Sequence, residues 1–410
     1  MKTEAISSLM RLEIYKMINL LKHFKGDKVL WGVVTLLAVF SFLPVYSAST
    51  NLSYVVGVGT PTGYLIKHAI ILVFGFFLMF LIHRIPYNYF KGISILSLPL
   101  VFLLLLYTAS QGTLIAGANA SRWLRIPVLG LSFQTSTLAF VSLLTYVAYY
   151  LSKYEGQSLS FGHSFLMLWL PIFSFVFIIL PANFSTAALL FLVAFVMAFL
   201  GRHPNRYLLG IIAGGVVGFL MFILAVKAFP NQFPNRVDTW MNRIENFSSG
   251  DDASGNYQIE RAKIAVASGG LLGVGAGKSV MKNFLPQSSS DFIYAIIIEE
   301  YGLIGGCMLL FLYLVLLFRV VVVAYKTSDS FGKLLAVGMG LPIVFQALIN
   351  MGVALQVLPV TGQTLPLISS GGTSAWMTCI ALGILLSVSV NIRASETPSN
   401  NPLAELSEIE

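Results

Sequence analysis

Asp291 opens the eighth long apolar stretch of the chain, and Glu299 and Glu300 follow it eight and nine residues later in LPQSSSDFIYAIIIEEYG, residues 285–302. Placing an ionised group inside a lipid-spanning segment costs about 2.5–3.5 kcal/mol on insertion scales. Such a cost points either to chemistry or to a buried pairing partner. The plainer reading of Asp291 is a helix cap, because Ser290 and Asp291 are both good capping types at a helix start. This stretch by itself leaves the two readings open.

Further candidates collect in four other stretches. In GANASRWLRIPVLGLSFQTSTLA, residues 117–139, Arg122 adjoins Trp123. A tryptophan at a membrane edge commonly belongs to the interfacial aromatic belt, whereas an arginine in a short outer loop runs against the usual charge bias. Its planar guanidinium suits a bidentate grip on phosphate, so contact with a phosphate-bearing substrate stands beside a surface role. Gln134 either starts the next helix or faces a cavity. The turn ILPANFSTAALL, residues 179–190, sets Asn183, Ser185 and Thr186 at the top of two spans, where ordinary capping accounts for the serine and the threonine.

GVGAGKS, residues 273–279, invites a phosphate-loop reading. That loop needs Gly, four residues, then Gly-Lys-Ser/Thr. The required first position is Leu272, and Gly273 leaves too few intervening residues, so nucleotide binding is excluded. The segment IERAKIAVASGGLLGVG is apolar and rich in small residues but too short to span. Non-helical backbone at membrane depth is tolerated only where protein or a wet cavity covers it, so this segment is expected to fold back into the mouth of the bundle. Arg243, Arg261, Lys263, Lys278 and Lys282 are candidates to line that mouth, some of them as solvated surface charges. The last stretch, residues 350–376, holds two proline turns and the run Ser369-Ser370-Gly371-Gly372-Thr373-Ser374. It reads equally as a cavity wall or as a loop that caps the final helix.

These stretches must be positioned by membrane-spanning helices. The chain has 410 residues, 57% hydrophobic and 10% charged, with mean hydropathy +0.82, whereas soluble domains run nearer a quarter charged. A span needs about 20 mostly apolar residues. Ten are expected, over 29–48, 64–83, 93–110, 135–152, 164–181, 184–200, 207–228, 292–319, 334–352 and 373–392. The fold class is therefore all-α and polytopic, with a large, partly re-entrant loop between the seventh and eighth helices. A cytoplasmic segment 1–28 precedes the transmembrane domain 29–392, and an acidic, disordered tail 393–410 follows it. Without a cleavable leader, the first span stays as an anchor.

The net charge of +8 does not indicate nucleic acid, because the basic residues sit at span ends. Lys28, Arg84, Lys91, Lys153, Arg202, Arg206, Arg319, Lys326, Lys333 and Arg393 all fall on one side, which orients both termini inwards. The candidate polar stretches then gather on the outer face. Cys307 and Cys379 lie inside apolar segments and suggest neither a disulfide framework nor a metal site.

Taken in order, the motifs resemble the SEDS family (shape, elongation, division and sporulation), most closely its cell-division branch. ASRWL and SFQTSTLA are similar to the family's G-A-x-R-W and F-Q-P-S-E-x-A-K region. GNYQ, SGGLLGVG and LPQSSSDFIYAIIIEEYG resemble its Y-Q, SGG-x-x-G-x-G and LPE-x-x-TDFIFA-x-x-x-EE-x-G blocks, and LPVTGQTLPLISSGGTS resembles its LP-x-T-G-x-x-LP-x-ISYGGSS close. Departures occur at Thr135, Thr137, Phe140, Gln287 and Ser370, and Asn183 stands where the family carries aspartate.

The resemblance implies a peptidoglycan glycosyltransferase that polymerises lipid II at the outer face of the bacterial inner membrane. Asp291 is the position to which the family assigns catalysis. Arg122, Trp123, Gln134, Arg243, Lys278, Glu299, Glu300, Ser369, Ser370 and Gly371 are the expected substrate-binding set. The implied partners are undecaprenyl pyrophosphate-linked glycan, a class B penicillin-binding transpeptidase and divisome membrane proteins. A divalent cation, Mg2+ or Mn2+, is an optional aid to the leaving group that no ligand cluster demands. Rival readings are a lipid II flippase or transporter, which needs polar groups along a path across the membrane, an elongation-type polymerase, and a non-enzymatic scaffold.

Overall fold

The computed structural model describes residues 24–54, 59–111, 114–115, 118–119, 123–126, 131–228, 253–285 and 288–396. Arg122 and Arg243 lie outside these residues. The helices are α1 Lys28–Tyr54, α2 Pro61–Ile82, α3 Tyr89–Ser110, α4 Thr135–Lys153, α5 Phe161–Ile179, α6 Phe184–Leu200, α7 Asn205–Ala228, α8 Ala253–Gly269, α9 Ile293–Lys326, α10 Ser330–Ala354 and α11 Thr373–Glu396. Eight of them are long and apolar enough to cross a membrane, and Phe184–Leu200 is a shorter apolar helix of 17 residues. With α7, 24 residues long, these stand where the expected spans were drawn.

The all-α polytopic architecture carries two small additions. Two short antiparallel ribbons sit between α3 and α4, one pairing β1 Leu114–Ile115 with β2 Ala118–Asn119, the other pairing β3 Trp123–Ile126 with β4 Leu131–Gln134. A π-helical turn, Phe165–Trp169, interrupts α5.

Local chemistry explains where the helices begin. Thr60 caps α2 by accepting from the Gly63 amide, with Pro61 at the first helical position, where its missing N–H is not needed. Asp329 caps α10 through the Gly332 amide. Asn183, rather than the neighbouring Ser185 or Thr186, caps α6 by accepting from the Thr186 amide at 3.1 Å. Helices α4, α10 and α11 form the most enclosed part of the bundle, while α2 and α3 turn most of their surface outward. The first helix is fixed at the basic end by Asp27. Its Oδ1 accepts from the Val29 and Leu30 amides, its Oδ2 takes the Arg319 guanidinium, and its own amide donates to Ser389.

The expected span 292–319 is part of a longer helix, α9, broken at Gly302, which takes φ 70° and ψ −172°. The break is where the glycine-rich segment docks. Val274 and Gly275 donate to the Glu299 and Glu300 carbonyls at 2.9 and 3.0 Å, and Leu303 and Ile304 donate to the Gly270 and Leu271 carbonyls at 2.9 and 3.3 Å. Backbone meets backbone so closely that a Cβ on Gly269 would strike the Ile298 carbonyl, and one on Gly273 the Glu300 carbonyl. Residues 270–275 are therefore folded back onto α9 as irregular backbone, although Leu271 and Leu272 stay exposed and the part of the expected irregular segment up to Gly269 is helical, in α8.

Gly269→Ala should lower stability by about 2 kcal/mol or more, since backbone cannot yield as a side chain can. Gly214→Ala, where a Cβ meets nothing within 4 Å, should be neutral or mildly stabilising. Thermal unfolding of the two variants in detergent checks this; equal melting temperatures would refute the docking geometry.

Candidate functional site

The candidate residues sort into two polar clusters. The first surrounds Asp291, which is half-buried and lies two residues before Ile293, the first residue of α9. The residue at the capping position is Phe292, with no side-chain cap. The segment 288–291 is held by the loop between α10 and α11. Ser369 Oγ donates to the Ser290 carbonyl at 2.7 Å and accepts from the Leu365 amide at 2.8 Å. The amide and hydroxyl of Ser370 both donate to the Ser289 carbonyl. Gly362, at φ +65°, passes beside the carboxylate, and a Cβ there would lie 3.6 Å from Asp291 Oδ2. Ser369 is buried, whereas Ser370 is exposed and Gly371 half-buried.

Asn350, which sequence reasoning did not single out, joins this cluster from the end of α10. Its Nδ2 donates to the Asp291 carbonyl at 2.8 Å and to the Gln363 carbonyl at 2.7 Å. Gln363 in turn donates to Thr186 on α6 at 2.8 Å, and Gln346 donates to the Thr364 carbonyl at 2.9 Å. A buried amide within an otherwise apolar helix was the available signal. Gln134 reaches the same region through its backbone: its amide donates to Thr373 Oγ1 at 3.1 Å, while its side chain bonds Ser136 instead of capping α4. Trp123 pairs with Gln134 across the β3–β4 ribbon, which sets its backbone beside the same rim.

The second cluster lies at the Gly302 break. Glu299 is buried, and its carboxylate accepts from Ser279 Oγ and from the Val280 and Met281 amides at 3.0 and 3.3 Å. The amides after the GKS sequence, which resembled part of a phosphate loop, are thus turned to a carboxylate of the chain itself. Glu300 is also buried; its Oε1 accepts from Ser47 of α1, and its Oε2 has no hydrogen-bond partner among the described residues. Lys282, 8% exposed, donates from Nζ to Ser47 Oγ at 3.1 Å and to the Gly277 carbonyl at 2.7 Å. The Ser47 hydroxyl therefore links a buried ammonium to a buried carboxylate. Lys278 is exposed near Gly275, Lys263 is exposed, and Arg261 lies over the rings of Tyr257 and Phe284. Among the described residues, no three His, Cys, Asp or Glu side chains come together as a metal site.

The first cluster is chemically a half-buried carboxylate on a rim of hydroxyls and backbone amides, able to hold sugar hydroxyls and accept a proton. The second is a buried network whose partners are the protein's own, with Glu300 Oε2 left over among the described residues.

Residues 27–394 match the profile of the family described as cell cycle protein, FtsW/RodA/SpoVE. The chain is 31% identical over 375 residues to a probable peptidoglycan glycosyltransferase FtsW of Geobacter sp. (strain M18), covering 90% of this chain and 98% of that one. It is 33% identical over 319 residues to the stage V sporulation protein E of Bacillus subtilis (strain 168), covering 77% and 84%. Among solved structures it resembles a chain from work on the coordination of polymerization and crosslinking by a peptidoglycan synthase complex, with TM-score 0.69, 26% identity and coverage of 90% and 98%. It also resembles the rod shape determining protein RodA of Thermus thermophilus, with TM-score 0.62, 26% identity and coverage of 88% and 96%.

Lys282→Met should remove the cation that reaches Glu300 through Ser47 and lower stability by about 1–3 kcal/mol, as expected when a charged member of a buried hydrogen-bond network is lost. Adding Glu300→Gln should return part of that loss. A double-mutant cycle on melting temperatures checks the coupling; strictly additive effects would rule it out.

Proposed function

The chain belongs to the cell cycle protein family of FtsW, RodA and SpoVE, and from that membership we propose that it is a peptidoglycan glycosyltransferase of cell division that polymerises lipid II. It is a multi-pass membrane protein. The basic residues at one set of helix ends support an orientation with both termini in the cytoplasm of a bacterial inner membrane, ten spans in all, and Asp291 at the outer face.

In this reading the 4-hydroxyl of the acceptor's terminal GlcNAc attacks the anomeric carbon of the donor glycan. Asp291 takes the hydroxyl proton as general base, and undecaprenyl pyrophosphate departs from the anomeric carbon. The observation that carries the assignment is the half-buried carboxylate at the head of α9, held from Ser289 to Asp291 by Ser369, Ser370 and Asn350. Arg122, with Arg243 and Lys278 of the large loop, holds the pyrophosphate and stabilises its growing charge. Trp123, Gln134 and the Ser369–Gly371 turn border the sugar site. No step runs through a divalent cation; Mg2+ or Mn2+ would act on the leaving group. A class B penicillin-binding transpeptidase is the partner that crosslinks the product, and other divisome membrane proteins complete the assembly.

The transport alternative drew on Glu299 and Glu300 as polar groups within a span. Their partners, Ser279, Ser47 and the backbone amides of residues 280 and 281, support a structural role for them. The division reading over elongation rests on the relatives named FtsW.

Asp291→Asn is expected to cut lipid II polymerisation by about 10²–10⁴-fold, the usual worth of a positioned general base. The assay uses purified wild type and variant with the cognate transpeptidase, each shown folded and partner-bound. Full activity in the variant would sink the general-base role, and transbilayer movement of lipid II without polymerisation by wild type would sink the polymerase reading.

A further inference from the structure

At the end of the bundle away from Asp291, a cavity of ≈ 250 Å³ opens between the ends of α4, α6, α9 and α10. Its polar wall is built by Arg202, Lys333, Glu155 and Ser330, and its apolar wall includes Leu151 and Leu200. The Ser330 hydroxyl donates to Glu155 Oε2, which ties the one carboxylate to the start of α10. Among the described residues, neither cation pairs with Glu155.

Two features separate this cavity from a packing gap. Arg202 sits at φ 55°, a left-handed position just past the end of α6 where glycine is the usual residue. A side chain held in strained backbone at a cavity wall points to a use for that side chain. In addition, the apolar wall opens outward at Leu200, which is 51% exposed and next in sequence to Phe199, itself 60% exposed. The cavity thus joins two cationic heads to an apolar surface of the kind a bilayer covers.

We propose that this cavity seats the phosphate head of an anionic phospholipid, drawn from the leaflet at that end, with its acyl chains along Leu200 and Phe199. Arg202 supplies a forked donor and Lys333 a point charge, the two usual means of holding a phosphodiester. Glu155 faces any polar glycerol group rather than the phosphate itself. Basic pockets between helices recognise anionic head groups in this way, and the volume suits one head group rather than a whole lipid. A free phosphate ester shares the head-group chemistry but gains nothing from the apolar flank.

The test is native mass spectrometry of the purified full chain with phosphatidylglycerol or phosphatidylcholine, on wild type, Arg202→Gly and Lys333→Gln. Wild type should keep one phosphatidylglycerol under activation that strips phosphatidylcholine. Each variant should weaken that retention about tenfold, the effect of losing one charge-assisted contact. Arg202→Gly should keep or raise the melting temperature, because glycine suits the left-handed backbone, which separates loss of the site from loss of the fold. If Arg202→Gly does not fold, Lys333→Gln alone decides. Equal retention of both lipids, or unchanged phosphatidylglycerol retention in the variants, overturns the proposal. Displacement of phosphatidylglycerol by inorganic phosphate overturns the lipid as occupant.

Discussion

The break at Gly302 creates a demand that the surrounding half of the bundle answers. An interrupted helix in an apolar setting exposes carbonyls and amides that lipid cannot satisfy. The glycine-rich segment satisfies them by laying its own backbone along the break, and only residues without a Cβ permit that approach at Gly269, Gly273 and Gly302. Once the segment is there, Glu299 can reach the turn at Ser279–Met281, and Lys282 can reach Ser47 beside Glu300. The glycines, the buried acids and the buried lysine thus follow from one backbone requirement. This also removes the apparent extravagance of two carboxylates in an apolar helix, since each lies within one residue of the carbonyls that anchor the segment.

The same docking bears on Asp291. Residues 293–301 form a short rod with the break at one end and Asp291 at the other. The rod's foot is fixed by the glycine segment, and its head by Asn350 at the end of α10 and by Ser369 and Ser370 of the following loop, which bond the carbonyls of residues 289–291. In the proposed reading Asp291 is the general base, and such a base must be held within hydrogen-bond reach of one hydroxyl. Fixing both ends of a single helical rod is an economical way to do so, because a carboxylate on a free loop would lose that register. The two polar clusters therefore divide the work: one presents the carboxylate and the other keeps its support from shifting.

Much of this was legible in the chain. The apolar runs marked where the helices lie, because the bilayer imposes length and composition together, although Lys28–Tyr54 and Ile293–Lys326 run well past the expected ends at 48 and 319. The segment 259–275, apolar yet too short to span, was readable as backbone folded back on the bundle, but its part up to Gly269 is the end of helix α8 and only the glycine-rich remainder is irregular. The partnerships were not legible. Ser47 meets Glu300 across 253 residues, and nothing local to either predicts it. Asn350 sits in a run that reads as plain helix, and its bonds to the Asp291 and Gln363 carbonyls depend on how two distant loops meet. The Gly302 break was hidden because the helix continues in pattern on both sides. Asn183 was passed over in favour of its hydroxyl neighbours, although it is the residue that caps α6.

The far end of α9 completes the constraint. Asp27 binds Arg319 of α9, caps α1 and is itself held by Ser389 of α11, so three helices are tied at one carboxylate. Ordering these groups at a helix end, where part of the guanidinium still meets solvent, avoids the heavy desolvation that a mid-membrane ion pair would bring. Helix α9 is thus fixed at its head, at its break and at its foot, by three different chemistries: hydroxyls and an amide on carbonyls, backbone on backbone, and an ion pair. A helix of 34 residues with an irregular turn inside it would otherwise be a natural hinge. With α9 held at all three points, any motion that the proposed polymerisation requires falls to the elements in front of Asp291, not to the helix that carries it.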